Sequence, residues 1–132
     1  MHPQYSQQRM LEINVISAED LRINGRPIKN NAIAHVRLNN DTEVASTRVD
    51  KNGGSYPLWN DKIDLKFPCN AKEIIVQVCC DNNLIGQTII PAKDIIEDYI
   101  PSSYLHLLSY RLRDRQSRRN GIINLSIRVR DC

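Results

Sequence analysis

Two groups of cationic side chains dominate the chemistry that this sequence could perform. In the first group, cations alternate with inward residues such as Ile63, Thr47 and Val49, which points them to the outside of extended strands; the group is His35, Arg37, Arg48, Lys62 and Lys66. The second group precedes the last apolar segment and is placed in a loop; it comprises Arg111, Arg113, Arg115, Arg118 and Arg119. Guanidinium and ammonium groups attract phosphate and carboxylate groups. Both groups therefore indicate binding to anions.

Patterns typical of catalysis are missing from the sequence. The histidines, His2, His35 and His106, are far apart, and no nucleophile elbow, phosphate-cradling glycine loop or metal-binding histidine pair occurs. We therefore expect a protein that is not an enzyme. One tryptophan and one phenylalanine offer few platforms for stacking bases, so we expect no nucleic-acid partner either.

Length and composition predict one folded unit. The chain has 132 residues, a net charge of +3 and 41% hydrophobic residues, which suits a single domain with one core. The polar first residues predict no signal peptide, His2 at the second position predicts no N-myristoylation, and no apolar run approaches the ~18 residues of a membrane span. We expect a flexible tail over 1–9 and a single domain over 10–132. The cysteines lack metal-ligand spacing, which predicts free thiols in a reducing cytosol.

The dominant period along the chain is two, which predicts strands. Gly, Pro and Asn turns separate eight alternating segments: 11–16, 32–38, 43–49, 62–67, 73–80, 84–90, 104–108 and 122–129. Pro91 opens one short predicted helix over 92–99. Trp59, in the corner that begins at Pro57, supplies a large apolar anchor where a strand starts. The pattern predicts an all-β fold, an eight-stranded antiparallel sandwich.

An ordered set of motifs makes the chain resemble a C2 domain from Leu11 to Val129. The motifs are the segment 11–21, which includes the first predicted strand, Pro57-x-Trp59-Asn60 before another strand, and Leu84-Ile85-Gly86 at the start of a third. The segments 107–114 and 121–127 resemble a plant subgroup of small C2 proteins, the BONZAI-associated proteins and their cold-regulated relatives. The resemblance implies a cytoplasmic protein, peripheral on the plasma membrane, that binds a copine-family C2 protein and restrains defence-linked cell death.

The resemblance also raises the question of calcium. C2 domains that bind it use several aspartates from two loops at one end, because Ca²⁺ requires six to eight oxygens and negative charge. Here the corresponding positions carry mostly neutral residues, and the weak candidates are Asp20, Asn24, Asn31, Asp81 and Asn82. We therefore expect no metal cofactor, with a weak calcium site as the alternative.

The resemblance further implies that the middle strands lie side by side. The first cationic group, hereafter the middle-strand cations, would then share one concave surface for anionic phospholipids. The second group could also contact phosphate, or could be a solvated loop, and Arg22, Arg26 and Lys29 give the first loop a positive tip. We expect a membrane-bound adaptor. Two alternatives stay open: a protein-interaction domain without significant lipid binding, and calcium-dependent phospholipid binding through degenerate loops.

Overall fold

A computed structural model describes residues 9–39, 43–96, 100–101 and 103–131. Its strands are β1 (Arg9–Glu19), β2 (Arg22–Ile23), β3 (Arg26–Pro27), β4 (Ala32–Leu38), β5 (Val44–Ser46), β6 (Leu58–Lys66), β7 (Glu73–Cys80), β8 (Asn83–Pro91), β9 (His106–Arg113) and β10 (Arg119–Asp131). Residues 1–8 of the predicted tail lie outside the described residues, whereas Arg9 pairs with Asp131 at the start of β1.

Eight strands form an antiparallel sheet in the order β5-β4-β7-β8-β9-β10-β1-β6. Within the described chain, β8 and β9 pair at one position, Gln87 with Arg113. The sheet therefore divides there into two four-stranded halves whose apolar faces enclose one core. This arrangement confirms the predicted all-β antiparallel sandwich, and β2 and β3 add a separate two-residue hairpin.

Strand alternation fills the core as the sequence predicts. Every second side chain of β4, from Ala32 to Leu38, is buried, and the residues between are half-buried. The predicted anchor Trp59 is buried in β6, where its Nε1–H donates to the carbonyl of Ala32 at 3.0 Å. Burying a side chain of this size stabilises the fold by about 2–3 kcal/mol. The same bond fixes where β6 meets the start of β4.

The strand predicted over 43–49 is shorter than expected because of a β-bulge. The N–H groups of Thr47 and Asp50 donate to the carbonyls of Ala34 and Ala32, so two residues stand opposite Ile33. A bulge reverses the alternation beyond it. Thr47 is buried as predicted, but Val49 is 43% exposed, which corrects its predicted inward position.

Helical structure is sparse in the described residues. The helix predicted over 92–99 is one 3₁₀ turn over Ala92–Asp94, and residues 97–99 lie outside the described part. No helix in the described residues is long and apolar enough to cross a bilayer.

Candidate functional site

Hydrogen bonds between loops shape one end of the sandwich, which we call the loop end (residues 20–31, 47–57, 81–82 and 114–118). The carbonyl of Ser55 accepts from the N–H of Leu21 at 3.1 Å, and that of Asp50 accepts from the N–H of Asn31 at 2.9 Å. The hydroxyl of Ser55 also accepts from the N–H of Ile28 at 2.9 Å. The 47–57 segment thus braces the 20–31 segment, which carries β2 and β3.

All five candidate calcium donors lie between strands and have a positive φ. The φ angles are 53° at Asp20, 53° at Asn24, 70° at Asn31, 49° at Asp81 and 68° at Asn82. Asparagine and aspartate tolerate this conformation better than most other non-glycine residues. The turns themselves therefore account for these residue types.

The donor set does not fit Ca²⁺. Asp20 Oδ1 accepts from Nε of Arg22 at 3.0 Å, and Nδ2 of Asn31 donates to Asp81 Oδ1 at 3.3 Å. Among the described residues, no three His, Cys, Asp or Glu side chains are grouped to hold a metal ion. One carboxylate paired with arginine and one paired with an amide fall short of the charge and oxygen count that Ca²⁺ requires.

The middle-strand cations do not share one surface. His35 and Arg37 point outward from β4, and Lys62 and Lys66 point outward from β6, as alternation predicts. However, β4 and β6 belong to different halves of the sandwich. Because the two halves meet through their apolar faces, their outer faces point in opposite directions. This corrects the expectation of a single concave surface.

Arg48 and His35 have polar partners close to the edge strand β5. Nη2 of Arg48 lies 2.8 Å from Asp61 Oδ1, and the hydrogen bond from the Arg48 side chain lowers the pKa of Asp61. Nδ1 of His35 lies 2.6 Å from Oγ of Ser46. Arg48 is therefore already paired with a carboxylate, Asp61.

Lys62 and Lys66 lie on a face of mixed charge. Asp64 stands between them on the outer face of β6, and Glu12 of β1 pairs with Asp64 across the strands. Glu12 also accepts from Nε of Arg130 at 2.8 Å. The two carboxylates, Asp64 and Glu12, therefore neutralise part of the positive charge of Lys62, Lys66 and Arg130 on this face.

The second cationic group is divided between strands and a turn. Arg111 and Arg113 lie on β9 and Arg119 begins β10, which corrects their predicted place in a loop, whereas Arg115 and Arg118 do lie in the turn. The alternation of buried Leu112 and half-buried Tyr110 with exposed arginines continues β9 to residue 113. That signal was present in the sequence.

Asp114 organises the turn between β9 and β10. Its Oδ1 accepts from the N–H groups of Arg118 at 2.9 Å and Gln116 at 3.0 Å, and its Oδ2 accepts from Nε of Arg118 at 3.1 Å. These bonds, the backbone bond from Arg118 above all, lower the pKa of Asp114. The turn is thus closed by its own carboxylate.

Asn120 joins this turn to the β2–β3 hairpin. Its Oδ1 accepts from the N–H of Arg22 at 2.9 Å, and its Nδ2 donates to the carbonyls of Arg22 at 2.8 Å and Ile85 at 2.9 Å. Arg22, Arg115 and Arg118 consequently line one cleft of about 340 Å³, which we call the arginine cleft. Sequence reasoning missed Asn120, because no local pattern marks a contact spanning 98 residues.

Comparison with known proteins agrees with this architecture. The C2 domain family model matches residues 9–107. The chain is 37% identical to BON1-associated protein 2 of Arabidopsis thaliana, over 93% of this chain and 62% of that protein. It is 30% identical to Protein SRC2 of Glycine max, over 89% of this chain and 45% of that protein.

A solved structure shows the same fold at low sequence identity. A C2 domain of plant Extended Synaptotagmin 1 superposes with a TM-score of 0.75 at 14% identity, covering 93% of this chain and 95% of that domain. The chain spans less than two thirds of the length of either sequence relative. These findings confirm the resemblance, including its plant subgroup, and the chain belongs to the C2 domain family.

Proposed function

We propose that this C2 domain attaches peripherally to anionic phospholipid membranes without calcium, through the loop end. One observation carries the proposal: Arg22, Arg115 and Arg118 converge on the arginine cleft. Asp20 and Asp114 are already bonded to two of these arginines. Each cation near an anionic leaflet contributes about 1 kcal/mol. The cytoplasmic leaflet of the plasma membrane supplies such a surface.

Exposed apolar side chains at the same end support this orientation. Ile23 of β2, Val49 of the bulge and Tyr56 are each more than one third exposed. Tyrosine is typical of membrane–water interfaces, where its ring meets the headgroups. Cations and apolar groups together are the combination expected of a surface that contacts a bilayer.

Vesicle co-sedimentation tests the proposal. The chain is mixed with phosphatidylcholine vesicles with and without phosphatidylserine or a phosphoinositide, in chelator and in calcium, over a range of salt. Arg115 lines the cleft, and Arg119, at the start of β10, lies beside Arg22 and Arg118. Arg115→Glu with Arg119→Glu should therefore abolish binding to anionic vesicles. Lys62→Glu with Lys66→Glu reverses the same number of charges on the outer face of β6, away from the loop end, and should leave most of the binding.

Three other outcomes of the co-sedimentation experiment would favour a different function or a different surface. A loss confined to the Lys62 and Lys66 variant would favour the outer face of β6, part of the surface predicted from the sequence. Binding that requires calcium would favour the degenerate-loop alternative. Absence of binding under every condition would overturn lipid attachment and leave a protein-interaction domain.

A non-catalytic adaptor role is the second proposal, with a copine-family C2 protein as the partner. It is supported by the identity to BON1-associated protein 2, whose name states an association with BON1. Restraint of defence-linked cell death is proposed on the same basis. In a binding assay with a purified copine-family protein, the Arg115 and Arg119 variant should keep its affinity. An equal loss of lipid and partner binding would contradict two separate surfaces.

A further inference from the structure

The arginine cleft has two lobes. Beside the lobe described above lies a second hollow of about 440 Å³, which Arg119 and Gly25 help to line. Both lobes share the same central wall, formed by Arg22, Asn24, Asp114, Arg118 and Asn120. Arg115 lines the first lobe and Arg119 the second, so each lobe has one arginine of its own as well as the shared pair.

The walls of the cleft are held in place by the protein itself. The side-chain amide of Asn120 bonds to both backbone groups of Arg22 and to the carbonyl of Ile85. Asp114 bonds to two N–H groups of its own turn. The two hairpins are thus fixed relative to each other, which limits the ordering that a bound ligand would require.

The two central arginines are oriented and still have donors to spare. Arg22 uses Nε toward Asp20 and Nη1 toward the carbonyl of Gly25. Arg118 uses Nε toward Asp114 and Nη2 toward Oε1 of Gln116. A guanidinium has five N–H donors, so each keeps N–H groups for a ligand. Such forks match the oxygens of a phosphate group.

The charge balance favours a ligand with several negative charges. Four arginines line the two lobes, namely Arg22, Arg115, Arg118 and Arg119, against the single carboxylate of Asp114. Counting also Asp20, which is paired with Arg22, two positive charges remain in excess. A single phosphodiester, with one charge, would engage one lobe and leave the other without an anion.

The geometry points to the arginine cleft as a binding site for a ligand with two or more phosphate groups, one for each lobe. The chemical class is a polyphosphorylated inositol, either as the headgroup of a phosphoinositide or as a free inositol polyphosphate. This inference rests on the proposed membrane attachment and deepens it, because it names the headgroup.

Calorimetric titration in chelator tests the site with inositol hexakisphosphate and, as a single-phosphate probe, inorganic phosphate. We expect the hexakisphosphate to bind at least tenfold more tightly. Arg115→Gln with Arg119→Gln should weaken its binding at least tenfold. Neither side chain has a hydrogen-bond or ion-pair partner among the described residues, so the fold should be unaffected. Arg37→Gln with Lys66→Gln removes two cations from the outer strand faces and should change affinity less than twofold.

A vesicle-binding assay distinguishes a phosphoinositide headgroup from a free inositol polyphosphate as the ligand. We expect phosphatidylinositol 4,5-bisphosphate vesicles to bind at least tenfold better than phosphatidylserine vesicles of equal surface charge. Equal vesicle binding without hexakisphosphate binding would overturn the cleft but keep membrane attachment. Hexakisphosphate binding without vesicle binding would support the cleft, identify a free ligand and overturn attachment. An equal loss in the control variant would overturn the cleft, because total charge would then set the affinity.

Discussion

Replacing Ser55 by alanine should release the loop segment that carries Arg22. The Ser55 side chain is buried, and its hydroxyl accepts from the N–H of Ile28 at 2.9 Å and donates to the carbonyl of Leu21. The carbonyl of Ser55 accepts from the N–H of Leu21 at 3.1 Å. One residue of the 47–57 loop therefore holds both ends of the segment that contains β2 and β3.

The magnitude follows from the groups that lose their partner. In Ser55→Ala, the N–H of Ile28 keeps a longer contact of 3.4 Å to the carbonyl of Leu21. A buried donor without a good partner costs about 1–3 kcal/mol. We expect the free energy of unfolding to fall by about 2 kcal/mol. For a domain of this size, that lowers the Tm by about 6–10 °C.

Thermal denaturation followed by circular dichroism measures this loss, with Ser109→Ala as the matched control. Ser109 is exposed on β9, where its hydroxyl donates to Asn124 Oδ1 at 2.6 Å. The same chemical change there should cost less than about 0.5 kcal/mol. Hydrogen exchange at the Ile28 amide should be faster in Ser55→Ala than in wild type and should be unchanged in Ser109→Ala. Wild-type stability together with unchanged exchange would refute this account of the brace.

Two further predictions concern the scaffold around the site. Bonds from the N–H groups of Asn52, Leu58 and Gly53 lower the pKa of Asp50. Its contribution to stability is therefore present above about pH 4 and lost as the pH falls through the folded pKa. Urea unfolding at pH 7 and pH 3 measures the difference in free energy of unfolding between wild type and Asp50→Asn. We expect this difference to be smaller at pH 3, and an equal difference at both pH values would contradict this. Gly86→Ala places a Cβ 2.9 Å from Cβ of Leu112, where the two halves join. The free energy of unfolding should fall by about 1–3 kcal/mol, and an unchanged urea midpoint would exclude this close approach.

Periodicity predicted the direction of side chains much better than their neighbours. It correctly placed His35 and Arg37 outward on β4, and Lys62 and Lys66 outward on β6. Which half a strand joins depends on pairings between residues far apart in sequence, such as Val36 with Val76. Alternation carries no information about those pairings, and the side-by-side arrangement that the resemblance implied does not hold for β4 and β6.

The sequence also did not show where the alternation of buried and exposed side chains is interrupted. The bulge at Arg48 and Val49 coincides with a bond of 2.7 Å from the N–H of Arg48 to Oδ2 of Asp61, a residue of β6. That partner lies 13 positions away along the chain. A contact of this kind is set by packing between strands, because the residue types around Val49 are compatible with either direction.

Asparagine and aspartate at loop positions have two interpretations that the sequence alone does not separate. Their oxygens can bind a cation, and their backbones can adopt positive φ more easily than those of other side chains. The positive φ at Asp20, Asn24, Asn31, Asp81 and Asn82 is what the second interpretation predicts. On this interpretation, the positive charge of the loop end comes from arginine side chains rather than from a bound Ca²⁺ ion.

The position of each arginine determines how strongly salt weakens its attraction to an anionic membrane. Exposed cations such as Arg111 act on a membrane through solvent, where their attraction is screened over about 8 Å at physiological ionic strength. Arg22 and Arg118 instead line a cleft, and hydrogen bonds of the protein orient them. Salt screens a charge in direct contact with an anion less than a charge that acts on the anion through several ångströms of solvent. Raising the salt should therefore remove the contribution of Arg111 first.

The vesicle binding that persists at high salt should be lost in Arg22→Gln with Arg118→Gln, but not in Arg111→Gln. Equal sensitivity of the two variants at every salt concentration would show that the loop end acts as diffuse charge rather than as a shaped site.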